Sequence, residues 1–497
     1  MCMWARNSRS LLLATALLAG CAVGPDFVRP DAPKEQGYLP AAEQPGRLEA
    51  IGQTQQLDTQ ALLAADWWRL FGSPQLDAMV ATAIADNPGV QGAQAVLRQS
   101  QDNLRAGHGV FFPQVGLALG ATRERATPAR LGLNGPGGIF NLFTLGATIS
   151  YALDIFGGER RAVEGLSASV DLQRYVLLGT DLTLTGNVVN TAIAREAYAE
   201  QMAVLQEVIA IQQEQLSITR TRADAGTVPY SAVESLRGSV ATTRAAMAAL
   251  AQHRDQASHA LSLLMGQATS QASPPEFALD QLHLPADLPL SLPSQLVRQR
   301  PDILAAEAQL HVANADVGVA TAALFPVFSI DGGYGAESNA LGDLGKTQSK
   351  FWSSGVTADW PVFQGGSAWF GRKAVQEAYM RVLSDYRQTV LAAFAQVADT
   401  LKALQYDAEG LAAQEEAMHA AQAGLKLTRA NYASGLAGYL DVLASDQQYQ
   451  QSRLAYVQAL AQRYQDTVAL YVALGGGWWN APSRGDGAMA GGTGTQP

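Results

Sequence analysis

Cysteine is almost absent from this chain of 497 residues, which contains only Cys2 and Cys21. This scarcity excludes a disulfide framework, and any zinc site built on several thiolates, from everything that follows Cys21. Charged residues are also scarce at 16 %, and the acidic ones prevail to give a formal net charge of −10. That balance argues against nucleic-acid binding, which favours basic surfaces.

Long apolar runs are missing as well. No stretch after Cys21 approaches the roughly 18 consecutive apolar residues of a membrane-spanning helix. If the protein enters a membrane, we therefore expect a closed β-barrel, because lipid offers no partner to an open strand edge.

Signatures of catalysis are lacking too. The six histidines show no HExxH or other metal-ligand spacing, and no GxSxG occurs. The stretch GDLGK at Gly342 lacks the four-residue spacer of a P-loop and lies in an expected loop. The sequence therefore predicts neither an enzyme nor a bound cofactor or metal.

The N-terminus has the order of a secretory signal peptide. Arg6 and Arg9 precede an apolar run from Leu11 to Leu18, and small residues follow it. The apolar run is too short to span a bilayer. We therefore expect residues 1–20 to be a signal peptide that is removed together with Cys2.

The remaining cysteine ends the segment LAGC, which begins at Leu18 and resembles a bacterial lipobox. In a lipobox, lipid is attached to the cysteine sulfur and the chain is cut just before it. The resemblance predicts lipid on Cys21, and Ala22, which is not Asp, favours export to the outer membrane over retention at the inner one. The alternative is an uncleaved anchor with an incidental thiol.

Two halves of the chain resemble each other. NPGVQGAQAVLRQSQDNLRAGHGVFFPQ parallels RPDILAAEAQLHVANADVGVATAALFPV, so that Pro88 and Pro113 correspond to Pro301 and Pro326 at the same separation of 213 residues. Further along, Gly226 corresponds to Gly435 at a separation of 209 residues. Correspondence that holds over so long a stretch indicates a duplicated structural unit.

Each half changes its hydrophobic period in the same order. In LFTLGATISYALDIF, apolar residues from Phe143 to Ile155 alternate with small or polar ones, as in a two-faced strand. Loops rich in turn-forming residues join such runs in pairs, which predicts one β-hairpin in each half. The expected strands cover about 113–125, 142–156, 326–337 and 351–363.

Helical patterns flank each hairpin. A helix precedes it, and a very long one follows, over 160–225 in the first half and 368–434 in the second. At ~1.5 Å per residue the long helix measures about 100 Å. Turns at GTVPY and GLAGY then lead into a shorter helix of about 35 residues. A plain dimeric coiled coil is the alternative, but it does not explain the matched hairpins.

The strand count predicts an oligomer. Four strands cannot close a membrane barrel, whose minimum is about eight. A dimer would supply eight, with an interior only wide enough for side chains, whereas a trimer would supply twelve around an open lumen. We therefore favour a homotrimer, with Leu145, Ile149 and Leu153 facing lipid. Polar residues of the strands are expected to face the lumen: Thr144, Thr148, Ser150, Asp154 and Asp359.

Four segments closely resemble the lipid-anchored outer-membrane channel subunits of tripartite multidrug efflux pumps, the TolC-like outer membrane factor family, in its RND-associated, NodT-type branch. They are DWWRLFGSPQLDAMVATAIADNP, RQRPDILAAEAQLHVANADVGVATAALFP, GLAGYLDVL and LGGGW. The resemblance implies an α+β membrane protein in which three chains form a 12-stranded β-barrel continuous with a 12-helix α-barrel. It also implies two partners, a periplasmic adaptor protein and an inner-membrane RND-type pump.

The resemblance further implies a gate at the periplasmic tips, which are the turns at 226–230 and 435–441. Relatives close the tunnel there with bulky and charged side chains. The alternative is that the tip tyrosines only pack against the starts of their helices. The residues expected to form the gate and to contact the adaptor are Gly226, Tyr230, Gly435, Tyr439, Leu440 and Asp441.

The expected domain bounds follow from the repeat. They are a signal peptide at 1–20, a lipidated extended arm at 21–65, a first repeat at 66–270, a linker at 271–293, a second repeat at 294–479 and a disordered tail at 480–497. The functional alternative is a non-conducting structural or adhesive outer-membrane lipoprotein, which would show no ion current in a planar bilayer.

Overall fold

The computed structural model describes residues 22–35, 37–40, 47–50, 53–59, 61–127 and 136–481. The expected signal peptide, Cys21 and residues 482–497 of the expected tail lie outside these residues. Within them the fold is a helix-rich α+β structure. No helix of the described part is long and apolar enough to cross a membrane.

The strands are β1 (Arg47–Ala50), β2 (Gln53–Asp58), β3 (Gln114–Ala126), β4 (Gly138–Leu153), β5 (Asp287–Pro289), β6 (Val327–Ser338) and β7 (Lys350–Asp359). The helices longer than one turn are α1 (Pro74–Asp86), α2 (Pro88–Gly107), α3 (Gly158–Asp224), α4 (Tyr230–Leu264), α5 (Pro301–Ala322), α6 (Ser367–Ala433) and α7 (Tyr439–Ala473).

Contacts divide the chain into two compact units. The described residues of unit 1 fall within Met1–Pro30, Val96–Gln173 and Ala305–Arg387. Those of unit 2 fall within Asp31–Ala95, Arg174–Leu304 and Gln388–Pro497.

The duplication is visible in the helix lengths. Helices α3 and α6 both have 67 residues, and α4 and α7 both have 35. Helices α6 and α7 each begin 209 residues after their counterparts α3 and α4. Neither α3 nor α6 contains proline, so no residue interrupts the backbone hydrogen bonds over their length. Residues 209 apart are therefore structurally equivalent in these helices.

Unit 1 contains an antiparallel sheet with the strand order β3-β4-β6-β7. Residues directly opposite each other in such a ladder point to the same face. Thr144 lies opposite Gly120 and Glu337, whereas Leu145 lies opposite Leu119 and Ala336. One face is therefore polar or glycine-rich and the other apolar, as the alternation in the sequence indicates.

Two strand ends differ from the expected ranges. Strand β4 ends at Leu153, and Asp154 beyond it holds the start of α3. Strand β7 ends at Asp359, before Trp360 and Pro361. Proline has no N–H for a ladder bond and restricts the residue before it, which explains the early end.

Unit 2 contains a second, smaller sheet that the sequence did not predict. Strands β1 and β2 form a hairpin within the expected extended arm, and β2 pairs in parallel with β5, within the expected linker. Gln55 donates from Nε2 to the carbonyl of Pro285 at 2.8 Å, and Leu288 is fully buried. The arm is therefore not purely extended, and the linker is partly ordered in a sheet.

Candidate functional site

The two tip turns share one backbone conformation. Gly226 and Gly435 have φ of 71° and 77°, in the left-handed region that favours glycine. The following residues, Thr227 and Leu436, donate backbone hydrogen bonds to the carbonyls of Arg222 and Asn431 at 2.9 and 2.8 Å. Glycine at these positions therefore ends each long helix and lets the chain reverse.

The two tip tyrosines differ in their contacts. The hydroxyl of Tyr439 donates to Oε1 of Glu214 at 2.5 Å, and its ring lies 5.3 Å from that of Tyr432. The hydrogen bond to this carboxylate raises the pKa of Tyr439. Tyr230 is 56 % exposed, and its side chain makes no hydrogen bond or ring contact with any described residue. Among the described residues, the tyrosine of the second tip is therefore hydrogen-bonded to α3, and the tyrosine of the first tip has no such bond.

Asp441 and Leu440, which are also expected at the second tip, differ in their surroundings. Asp441 accepts from the backbone N–H of Gly438 through Oδ2 at 2.8 Å, which fixes the start of α7. Leu440 is half-buried, whereas Val442 and Leu443 are buried. Asp441 is exposed, and its Oδ1 does not take part in that helix-start bond.

Ion pairs also link α7 to α3 further from the tip. Arg453 donates to Glu200 at 2.8 Å and to Glu207 at 3.1 Å. Burial alone would lower the pKa of Arg453, but the two carboxylates raise it. On α6, Arg429 pairs with Asp446 of α7 at 3.0 Å.

These pairs were not predicted from the sequence, although a signal for them exists. Glu200, Glu207 and Glu214 are spaced by seven residues on α3, and Tyr439, Asp446 and Arg453 have the same spacing on α7. A spacing of seven places each set on one helix face.

The sheet brings the expected lumen-facing residues together on its polar face. Thr144, Thr148 and Ser150 lie opposite Glu337, Gly333 and Asp331 of β6. Asp331, which the sequence analysis missed, accepts from Ser329 and Thr357 at 2.7 and 2.8 Å. Asp359 is the last residue of β7 and is exposed. The polar face therefore contains more carboxylates than expected.

Asp154 has a different task from the expected one. It lies beyond β4 and accepts from the backbone N–H groups of Glu159 and Arg160 at 3.1 and 3.0 Å. Its Oδ2 also accepts from Nε of Arg160 at 3.1 Å. A carboxylate at this place stabilises the N-terminus of α3, because the free N–H groups and the helix dipole are positive there. Asp154 is thus a helix-start residue, and its place among the lumen-facing residues stays a prediction.

The segment 22–30, here called the strap, makes many contacts within unit 1. Val23 donates its N–H to the carbonyl of Phe156 at 2.9 Å, next to the end of β4. Asn314 of α5 donates to the carbonyl of Pro25 at 3.0 Å. Arg29 pairs with the buried Glu307 of α5 at 2.5 Å.

The middle of the strap meets a network of charged side chains. Phe27 stacks on His311 with ring centroids 4.2 Å apart, and Asp26 pairs with Arg161 at 2.6 Å. Glu164 links the two contacts, since it bonds to Arg161 at 2.7 Å and to His311 at 2.8 Å. Burial alone would raise the pKa of Glu164, but these two partners hold it below its usual value. The strap therefore joins α3 of the first repeat to α5 of the second.

The described residues contain no cluster of three or more His, Cys, Asp or Glu side chains that could hold a metal ion. These residues instead form a sheet with one polar and one apolar face, long helices linked by ion pairs, and a tip turn held by a hydrogen bond.

Comparison with known families decides what kind of protein has this arrangement. The profile described as outer membrane efflux protein matches residues 79–267 and 292–476, which together are most of the chain and correspond to the two repeats. The chain belongs to the outer membrane efflux protein family. It is therefore an outer-membrane efflux channel protein, and its family is one of transport proteins.

Individual relatives agree with this family. The chain is 29 % identical over 474 residues to the pyoverdine export outer membrane protein OpmQ of Pseudomonas aeruginosa, covering 94 % of this chain and 96 % of the relative. It is 26 % identical over 464 residues to the probable outer membrane lipoprotein SilC of Salmonella typhimurium, covering 93 % and 97 %.

Solved structures agree as well. The outer-membrane channel OprN superposes with a TM-score of 0.81 at 26 % identity, covering 92 % of this chain and all of that one. The CusC structure shares the fold with a TM-score of 0.75 at 24 % identity, covering 91 % and 99 %.

Proposed function

We propose that three copies of this outer membrane efflux protein form the exit channel of a tripartite pump, with a 12-stranded β-barrel continuous with a 12-helix tunnel. The observation that carries this proposal is the sheet of unit 1. Among the described residues, its outer strands β3 and β7 each have only one neighbour. Joining β7 of one copy to β3 of the next would leave no open edge, which lipid does not tolerate.

Exposure of the sheet supports this assignment. On the apolar face, Val115 is 76 % exposed, Leu117 74 % and Trp352 76 %. In a single chain so large an apolar surface would face water, whereas in a barrel it faces acyl chains. The polar face, with Thr144, Thr148, Ser150 and Asp359, then lines the aqueous lumen.

The tips are proposed as the periplasmic gate and adaptor contact. Three copies of each tip around one axis would form rings, with Gly226 and Tyr230 in one kind of tip and Gly435, Tyr439, Leu440 and Asp441 in the other. The bond between Tyr439 and Glu214 supports a closed tip that an adaptor opens by binding the open form better. The proposed partners are a periplasmic adaptor and an inner-membrane RND-type pump.

Lipid attachment at Cys21 is proposed for the N-terminus, in the outer membrane of a Gram-negative bacterium. The strap supports it, because Val23 is bonded next to the end of β4. Consecutive Cα atoms are about 3.8 Å apart. An acyl chain on Cys21 would therefore start within two residues of Val23, which is bonded next to the periplasmic end of the proposed barrel.

Single-channel recording of the purified protein in a planar bilayer tests the proposal, with molecular mass from light scattering as the control for assembly. We expect the mass of a trimer and discrete current steps. A trimer that inserts and carries no current would contradict the channel and favour the structural or adhesive lipoprotein. A mass other than that of a trimer would contradict the twelve-stranded barrel.

A further inference from the structure

The starts of α3 and α6 are equivalent in the repeat but differ in chemistry. At α3, Arg160 pairs with Asp154, and Arg161 pairs with Asp26 of the strap and with Glu164. Both arginines at this helix start are therefore paired with carboxylates from the same chain, and the strap supplies one of them.

At α6 the equivalent residues, 209 positions later, are aromatic and basic. Trp369, Phe370 and Lys373 replace Arg160, Arg161 and Glu164. Trp369 is 48 % exposed and Phe370 65 %. The guanidinium of Arg372 lies 5.0 Å from the Trp369 ring centroid, and Nζ of Lys373 lies 5.5 Å from it. Two cations therefore share one exposed indole ring.

These two cations have no carboxylate partner among the described residues. Nε of Arg372 is shielded from solvent and also lacks a hydrogen-bond acceptor in the described part of the chain. In this part of the chain no segment supplies a carboxylate to the start of α6 as the strap does at α3. The two cations near the start of α6 are thus open to an anion from outside the chain.

An exposed apolar tract leads up to the cations. Trp360, Val362 and Phe363 follow the end of β7, and Phe363 is 89 % exposed. Aromatic residues beside Lys and Arg are typical of the boundary between acyl chains and headgroups. Basic residues at that boundary attract anionic lipids.

We propose that Arg372, Lys373 and Trp369 form a binding site for an anionic phospholipid at the inner surface of the outer membrane. The two cations bind the phosphate, and the indole ring lies at the headgroup level. The acyl chains lie along Val362 and Phe363. The site rests on the proposed barrel, since it needs β7 to end at the membrane surface.

Native mass spectrometry of the delipidated trimer in detergent tests the site, with phosphatidylglycerol and phosphatidylethanolamine titrated separately. Wild-type protein is expected to bind phosphatidylglycerol more tightly. The double variant Arg372→Gln/Lys373→Gln is expected to lose about thirtyfold in phosphatidylglycerol affinity at low salt, as two surface cations warrant. Its phosphatidylethanolamine affinity stays unchanged. Arg381→Gln is the matched control, since Arg381 lies on the same helix but pairs with Asp385 at 2.8 Å.

Equal affinity of the wild type for the two lipids, or an unchanged preference in the double variant, overturns the lipid site. Dissociation of the double variant into single chains also overturns the lipid site, because the surface around Arg372 and Lys373 would then be an interface between copies. Conductance separates this result from the channel itself. A conducting wild-type trimer without lipid preference leaves the channel standing, whereas a wild-type trimer that inserts and carries no current contradicts the channel and leaves the barrel on which the lipid site rests.

Discussion

Tyr230 and Tyr439 begin equivalent helices, yet among the described residues only the Tyr439 hydroxyl finds an acceptor. Its partner, Glu214, lies on α3 of the other repeat. In the closed tip this bond would hold the start of α7 against α3. At Tyr230 no such link opposes movement of α4.

Tyr439→Phe removes the hydroxyl and leaves the ring in place. A hydrogen bond to a charged group is worth about 1 kcal/mol at an exposed site. We therefore expect the open-to-closed ratio to rise about fivefold per protomer, measured as open probability in bilayers without any partner. Tyr230→Phe is the control and should behave as wild type. Equal open probabilities for the two variants would place the closure elsewhere.

A second residue-scale feature is the charge cluster of unit 2 around Arg463, which is fully buried. Arg463 donates to the carbonyl of Leu404 and to Oε1 of Gln55. Burial lowers the pKa of Arg463 to about 10. Nearby, burial and a hydrogen bond with Asp466 raise the pKa of Asp407 to about 8, although Arg463 opposes the shift.

This raised pKa links stability to pH. Between about pH 4 and pH 8 the folded chain holds a proton on Asp407 that the unfolded chain has released, so the free energy of unfolding falls as pH rises. Asp407→Asn removes this dependence. We expect the unfolding temperature of the wild type to fall further between pH 5 and pH 8 than that of the variant. Asp399→Asn, an exposed change on the same helix, should follow the wild type. Parallel curves for wild type and Asp407→Asn would refute the linkage.

Sequence patterns locate residues along one element, and they do not show which side chains meet across elements. The position of Tyr439 after a glycine turn follows from the repeat. Its partnership with Glu214, 225 residues away, does not follow, because it depends on the register between α7 and α3. The contact of Phe27 with His311 could not be predicted either, because it depends on how the strap packs against α5.

At the scale of elements, long periodic segments were the most predictable. The expected helix over 160–225 is Gly158–Asp224 in the structure, because no proline interrupts it and a glycine turn ends it. Strand ends and short strands were less predictable. The small sheet of β1, β2 and β5 has too few residues for a clear period, and its partners are distant in sequence.

The two faces of β4 give a paired test. Ile149 lies opposite Val115 on the apolar face, whereas Thr148 lies opposite Gly116 on the polar one. Arginine at Ile149 should destabilise the barrel by about 2 to 4 kcal/mol near the membrane midplane. Arginine at Thr148 should cost far less, because it stays in water. Unfolding in denaturant, followed in lipid vesicles, measures both. Similar losses for the two variants would show that the faces are assigned wrongly.

At the scale of the whole molecule, the sheet of unit 1 contains one hairpin from each repeat, and its four described strands leave two edges. In the proposed channel, further copies of the same chain close these edges. The strap breaks the symmetry of the duplication, because among the described residues it supplies a carboxylate to the start of α3 and none to the start of α6. The same asymmetry leaves Arg372 and Lys373 without an internal anion.

In the proposed channel, the lipid on Cys21 and the barrel would be two independent ways to hold the same molecule in a membrane. Cys21→Ser removes the sulfur that would carry the lipid, so we expect the acyl mass to disappear from the intact-mass spectrum and signal removal to stop. The strap contacts of Val23, Asp26 and Phe27 do not involve the thiol. A closed barrel needs no acyl chain for membrane residence, since its lipid-facing strands suffice. A chain that starts at residue 22, and so lacks the attachment site altogether, should therefore still yield a trimer with wild-type conductance when it is refolded into vesicles. An acyl mass that survives in Cys21→Ser would contradict the attachment site, whereas loss of the trimer in the chain that starts at residue 22 would show that assembly depends on the lipid.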